Sequence, residues 1–168
     1  MGILSKMVVI ANSGLSRYSQ EHLSEQEKKA IQEFVNTHQD EIKYGCIRDN
    51  CGVIAADFRD WIENNYQDFK VSRESGYFKL DKPMLSYGDF HKEEFKQMRE
   101  TGLDPFNDED RKSYFDSLDP KLQKDFYRLP HYWNLLNGKI IDFSVYSQVI
   151  KTGLAGDSSK SRYSKSFR

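Results

Sequence analysis

The stretch His131-Tyr132-Trp133-Asn134-Leu135-Leu136-Asn137-Gly138-Lys139-Ile140-Ile141-Asp142-Phe143-Ser144 decides how this chain folds. Two apolar-rich runs flank Asn137-Gly138, and a two-residue type I′ turn needs positive φ at both central positions, which Asn-Gly accepts readily. The segment therefore reads as a β-hairpin. With Asn137 and Gly138 in the turn, Leu136 stands opposite Lys139, Trp133 opposite Asp142 and His131 opposite Ser144. His131 and Asp142 then share one sheet face as diagonal neighbours, about 7–8 Å apart at the backbone and within reach through their side chains. Asp142 lies between Ile141 and Phe143, and a carboxylate in such company is costly to bury without a partner. The imidazole on the same face supplies one. A carboxylate that orients an imidazole is part of a catalytic triad, although a purely structural His–Asp pair has the same signature.

The rest of the chain offers a nucleophile. The polar loop Tyr44-Gly45-Cys46-Ile47-Arg48-Asp49-Asn50-Cys51-Gly52 runs into Val53-Ile54-Ala55-Ala56-Asp57-Phe58-Arg59-Asp60-Trp61-Ile62-Glu63-Asn64. Ile54, Phe58, Trp61 and Ile62 recur at helical spacing, which predicts a buried helix that starts close to Cys51 and ends at Asn64-Asn65. A helix N-terminus carries about half a positive charge and several unpaired N–H groups, which stabilise a thiolate. The same N–H groups can receive the oxyanion of a tetrahedral intermediate. By itself Cys51 is a small apolar side chain of the kind cores absorb; with His131 and Asp142 it completes a nucleophilic set. Cys46 has no helix behind it and reads as a structural or incidental thiol.

Elsewhere the sequence is organised around this core. Met7-Val8-Val9-Ile10-Ala11 is β-prone and reads as an edge strand or a loosely held arm. Ser24-Glu25-Gln26-Glu27 has the S-x-x-E form of a capping box, and the helix it opens runs to about His38 with Ile31, Phe34 and Val35 on one face. Phe69–Ser72 and Gly76–Leu80 read as two further strands. From 89 to 128 the sequence turns charged and helix-favouring, broken at Gly102, Pro105 and Pro120. Phe90, Phe95, Met98, Tyr114, Phe115, Leu118, Leu122, Phe126 and Tyr127 mark short amphipathic pieces of a helical insertion lying over the fold as a lid or partner-binding element. Residues 1–155 are expected to form one domain, and 156–168, rich in Ser, Lys and Arg, a disordered basic tail.

Composition limits the functions available. The 168 residues contain 25 basic and 26 acidic side chains, a formal net charge of −1, so no global field selects nucleic acid or an anionic membrane. Nucleic acid contact reduces to a weak touch through the tail. No apolar run approaches a membrane span and no signal-peptide core is present, so the expectation is a soluble, cytoplasmic chain with no membrane partner. The two cysteines make no disulfide framework. His22, His38, His91 and His131 lack zinc-finger spacing, and there is no GxGxxG or P-loop pattern. No metal or cofactor is expected.

The order Cys, His, Asp, with the cysteine opening a buried helix and the other two on consecutive strands, resembles the papain-like and transglutaminase-like cysteine enzymes. The resemblance rests on Asn50-Cys51-Gly52-Val53-Ile54-Ala55-Ala56, the strand Gly76-Tyr77-Phe78, and His131-Tyr132-Trp133 followed by Gly138-Lys139-Ile140-Ile141-Asp142. It spans about residues 45–150 in outline and is similar to the small bacterial and viral branches, including papain-fold toxin and effector domains. It implies an α+β fold in which the Cys51 helix packs on a small antiparallel sheet. It further implies acyl transfer at a protein amide, with Cys51 as nucleophile, His131 as base and acid, and Asp142 orienting His131. Asn50, Gly52 and Trp133 are the candidates for the oxyanion hole or substrate positioning. The chain departs from the papain pattern in having no glutamine shortly before the cysteine; Gln39 lies too far upstream, leaving Arg48, Asn50 or backbone groups to serve. Peptidase or glutamine deamidase activity comes ahead of transglutaminase activity, with a protein or peptide as substrate. The alternative is a non-catalytic, viral-type binding protein that engages or inhibits a host factor through 89–128.

Overall fold

The computed structural model describes residues 7–11, 14–15, 23–45, 51–156 and 160–165. Its centre is the hairpin. Strand β4 (Arg128–Leu136) turns through Asn137 and Gly138, with φ of 50° and 80°, into strand β5 (Lys139–Asp142). The ladder pairs Leu136 with Lys139, Leu135 with Ile140 and Asn134 with Ile141, the register set by the two-residue turn. Strand β3 (Val71–Lys79) flanks β4 on its other side in nine consecutive antiparallel pairs, from Val71–Leu136 to Lys79–Arg128. The two β-prone runs expected on either side of Arg73-Glu74-Ser75 are thus one strand, because these polar residues keep the ladder going along a partly solvated face.

Three more strands complete the sheet. Strand β1 (Met7–Ala11) pairs in parallel with β5 and antiparallel with the two-residue strand β2 (Gly14–Leu15). It therefore lies inside the sheet and not at its edge. At the opposite side, strand β6 (Tyr163–Lys165) adds to β3, with Phe78 opposite Tyr163 and Tyr77 opposite Ser164. This corrects the expectation of a disordered tail: Lys160–Arg162 forms a 3-10 turn that delivers Tyr163 to the sheet, where its ring meets Phe78 at 5.0 Å and Trp133 at 5.0 Å. The order is β2-β1-β5-β4-β3-β6, and from β5 through β4 and β3 to β6 each strand pairs antiparallel with its neighbour. The fold is mixed α+β.

One face of the sheet is covered by helices α1 (Glu25–Thr37) and α3 (Cys51–Asn65), with α2 (Gln39–Gly45) between them. Phe34, Ile31, Phe58 and Ile62 meet Leu136, Ile141 and Phe143 there in one buried cluster. Each such side chain contributes about 1.5–3 kcal/mol relative to exposure. The capping box forms as written in the sequence: Glu27 N–H donates to Ser24 Oγ and Ser24 N–H to Glu27 Oε2, both at 3.1 Å. Glu27 also accepts from Lys139 Nζ at 2.6 Å and Asn137 Nδ2 at 3.2 Å, which fastens the head of α1 to the hairpin turn. Asn134 Nδ2 donates to Ala55 O at 2.7 Å and so fixes α3 against β4. The other face holds Phe78, Trp133, Ile140, Val145 and Val149.

The segment between β3 and β4 contains α4 (Lys92–Glu100), α5 (Asp108–Ser117) and α6 (Pro120–Gln123), followed by a 3-10 turn at Lys124–Tyr127. It is helical as expected, but it buries its own core of Phe90, Met98, Tyr114, Phe115 and Phe126. Arg111 ties its loops together, donating to Leu85 O at 2.8 Å and Pro105 O at 2.7 Å and pairing with Asp108. Among the described residues no helix is long and apolar enough to cross a membrane.

Candidate functional site

His131 is the fourth residue of β4 and Asp142 the last of β5, and the hairpin register sets both side chains on one face. His131 Nε2–H donates to Asp142 Oδ2 at 2.6 Å, and each residue is 1% exposed. The carboxylate is saturated with donors. Its Oδ1 accepts from Ser144 N–H and Val145 N–H, both at 3.0 Å, because the chain curls back over it immediately after β5. Its Oδ2 also accepts from Tyr163 O–H at 2.7 Å.

The electrostatics follow from this arrangement. Burial alone would discharge the His131 ring, but the Asp142 charge and hydrogen bond, with a smaller contribution from Cys51, outweigh it and raise the imidazole to about 10. Burial likewise opposes the Asp142 charge; the imidazolium, Tyr163 and the Ser144 amide overcome it and hold the carboxyl below its ordinary value. Tyr163 is pushed well above the usual phenol range by burial and by the Asp142 charge. At neutral pH the pair is imidazolium and carboxylate.

Cys51 is the first residue of α3, a free thiol 8% exposed. The β4–β5 ladder ends at Asn134–Ile141, so it stops short of His131, which has no ladder partner on β5. Electrostatically, the Cys51 side chain is the smallest of the influences that raise the imidazole. Nδ1 itself is buried and has no hydrogen-bond partner among the described residues. Nδ1 is also the ring atom not engaged by Asp142 and hence the one available to exchange a proton.

Around Cys51 the surface is built by a close glycine contact. A Cβ on Gly52 would come within 3.1 Å of the Tyr132 ring, so the first turn of α3 lies tightly against β4 at that point and a larger residue would push the exposed ring aside. Arg73 lies over the Tyr132 ring at 5.0 Å and donates to Gly52 O at 3.3 Å. Val53 and Tyr132 are exposed beside it. The leading N–H groups of α3 have no intrahelical acceptor, as at any helix start, and they supply donors for an oxyanion.

Of the residues singled out in the sequence, the structure pairs His131 with Asp142, Cys51 bears on the same imidazole electrostatically, and Gly52 follows Cys51 in α3 beside Tyr132. Trp133 is buried beside His131, at 6.3 Å between ring centroids, and against Tyr163, where it walls the imidazole. Cys46, Arg48 and Asn50 lie outside the described residues. Tyr163 is the member of this hydrogen-bonded cluster that sequence reasoning missed; one tyrosine in a Ser/Lys/Arg-rich tail carries no periodic signal. Among the described residues no three His, Cys, Asp or Glu side chains are grouped to hold a metal ion. No family model, no curated protein and no solved structure matches this chain.

Proposed function

We propose that this chain is a cysteine-dependent acyl-transfer enzyme with a papain-like or transglutaminase-like core, acting on protein or peptide amides. The observation that carries the reading is the buried His131–Asp142 ion pair with the Cys51 thiol acting on the same ring. In this mechanism Cys51 attacks the amide carbonyl as thiolate, and the leading N–H groups of α3 receive the oxyanion. The His131 imidazolium gives its Nδ1 proton to the departing amine, which leaves a thioester on Cys51. Water, deprotonated by the now neutral imidazole, resolves the thioester in a peptidase or glutamine deamidase; an amine does so in a transglutaminase. Asp142 holds the ring in orientation and stabilises its charge throughout.

The deciding experiment compares iodoacetamide alkylation of Cys51 and Cys46 near neutral pH in the native chain and in His131→Ala. Fast labelling of Cys51 that slows in the variant supports the reading; equal, slow labelling of both thiols in both proteins refutes it. The second reading, a non-catalytic protein that engages a partner through the insertion, is favoured by a different observation. Tyr87 stacks between Phe95 and Phe106, each at 4.8 Å, and Phe106 is 68% exposed. Undiminished biological effect of Cys51→Ala would select it.

A further inference from the structure

A cavity of about 570 Å³ opens where β3, β4, the turn at Lys124–Tyr127 and the segment leading into β6 meet. Tyr77, Lys79, Lys124, Tyr127, Arg128 and Arg162 are among the side chains that line it, and no carboxylate does. Tyr77, Lys79 and Arg128 alternate along their strands with Gly76, Phe78 and His131, so they belong to the opposite sheet face from the imidazole. That is the face on which Gly52 and Tyr132 meet, about 13 Å along β4 from Arg128 to Tyr132 at the usual strand rise.

Lys79 and Arg128 are direct register partners in the β3–β4 ladder, and like charges placed opposite each other on one face destabilise a sheet. Lys124 brings a third cation to the same concavity. Arg162 is engaged, donating to Lys79 O at 3.0 Å and to Asp81 Oδ2 at 2.8 Å. Lys79, Lys124 and Arg128 make no ion pair among the described residues, in a chain with 26 acidic side chains to offer. Three cations lining one concavity with no carboxylate among them suit a ligand that brings more than one negative charge, and the tyrosine rings with the aliphatic stems of the cations suit a flat apolar body. The volume is that of a small-molecule site.

We infer that this cleft binds a phosphate monoester carried on an aromatic or heteroaromatic group, a chemistry shared by a phosphotyrosine side chain and a nucleoside monophosphate. The inference is independent of the acyl-transfer reading. The phosphate oxygens take up Lys79, Lys124 and Arg128, and the ring lies against Tyr77 and Tyr127.

The test titrates the full chain by calorimetry with adenosine 5′-monophosphate and with a phosphotyrosine peptide, each beside its unphosphorylated parent. At least one phosphate monoester is expected to bind ten times or more tighter than its parent, and the member that binds identifies the source. Charge-assisted hydrogen bonds of this kind imply a rise in Kd of about tenfold or more in Lys79→Ala and in Arg128→Ala. The inference is overturned if neither phosphate monoester is preferred to its parent, or if both variants bind as the native chain does. The same variants, without ligand, are expected to melt close to the native temperature, since exposed side chains without an ion pair contribute little to stability. A clear drop in both would assign the cations to the fold and overturn the inference equally.

Discussion

Tyr163 donates its phenolic hydrogen to the same Asp142 oxygen that accepts from His131, at 2.7 Å, from a strand 21 residues further along the chain. The carboxylate is thereby held from the β6 side as well as by its own hairpin. Tyr163→Phe removes that donor and leaves the ring in place. Hydrogen bonds to charged groups contribute about 1.5–3 kcal/mol, so a loss of that order is expected in urea denaturation at pH 7. A variant as stable as the native chain would show that Asp142 needs only the hairpin.

Asp142→Asn retains the shape of the pair and removes its charge. The imidazole is then left buried without the anion that keeps it protonated, and its proton affinity should fall. NMR titration of His131 would detect this directly. Because positioned acid–base groups contribute about 10²–10⁴-fold, any Cys51-dependent turnover should fall by roughly that factor. Asp142→Ala leaves the buried charge wholly unpaired and should cost about 3–5 kcal/mol.

The pH dependence of stability has a definite sign. His131 is raised from 6.5 to about 10 on folding, so its stabilising contribution is complete below pH 6.5, declines as pH rises, and is gone above about 10. Asp142, lowered by folding, contributes above its ordinary value and loses that contribution as acid protonates it in the folded state. Melting temperature should therefore fall between pH 7 and 10. His131→Ala should flatten this slope while lowering the curve at pH 6.

A second pair bears on the approach to α3. Glu41 on α2 is raised to about 7, first by its hydrogen bond to Asp57 on α3, then by burial and by the Asp57 charge. Raised on folding, it favours the fold when protonated and loses that contribution as pH climbs through about 7. Glu41→Gln is expected to raise the melting temperature at pH 8 and leave it unchanged or lower at pH 4. Identical shifts at both pH values would dissociate the pair from stability.

What the sequence made legible was local. Asn137-Gly138 announced its turn because few residues accept two successive positive φ angles. Ser24 and Glu27 announced a helix because their reciprocal bonds close within three residues. The placement of His131 beside Asp142 followed from that turn alone, since a two-residue loop leaves one register. Long-range pairings left no such mark. Nothing around Met7–Ala11 indicates a parallel partner at Ile140–Asp142, and the three residues Tyr163–Lys165 are too few for an alternating pattern. Arg73-Glu74-Ser75 read as a break because polarity suggested a loop, whereas β4 simply pairs through it.

Lys79 and Arg128 face each other as the last pair of the β3–β4 ladder, and Leu80 N–H to Tyr127 O and Met84 N–H to Phe126 O carry the two chains onward together. Topologically, everything between Met84 and Phe126 is the tip of one hairpin, entered and left at a single doorway. A segment hung on a closed doorway can lengthen, shorten or change its surface without moving β3 or β4, and so without disturbing the imidazole on β4. The lobe, with its own buried core of Phe90, Met98, Tyr114, Phe115 and Phe126, is thus a module whose surface is decoupled from the sheet that carries His131.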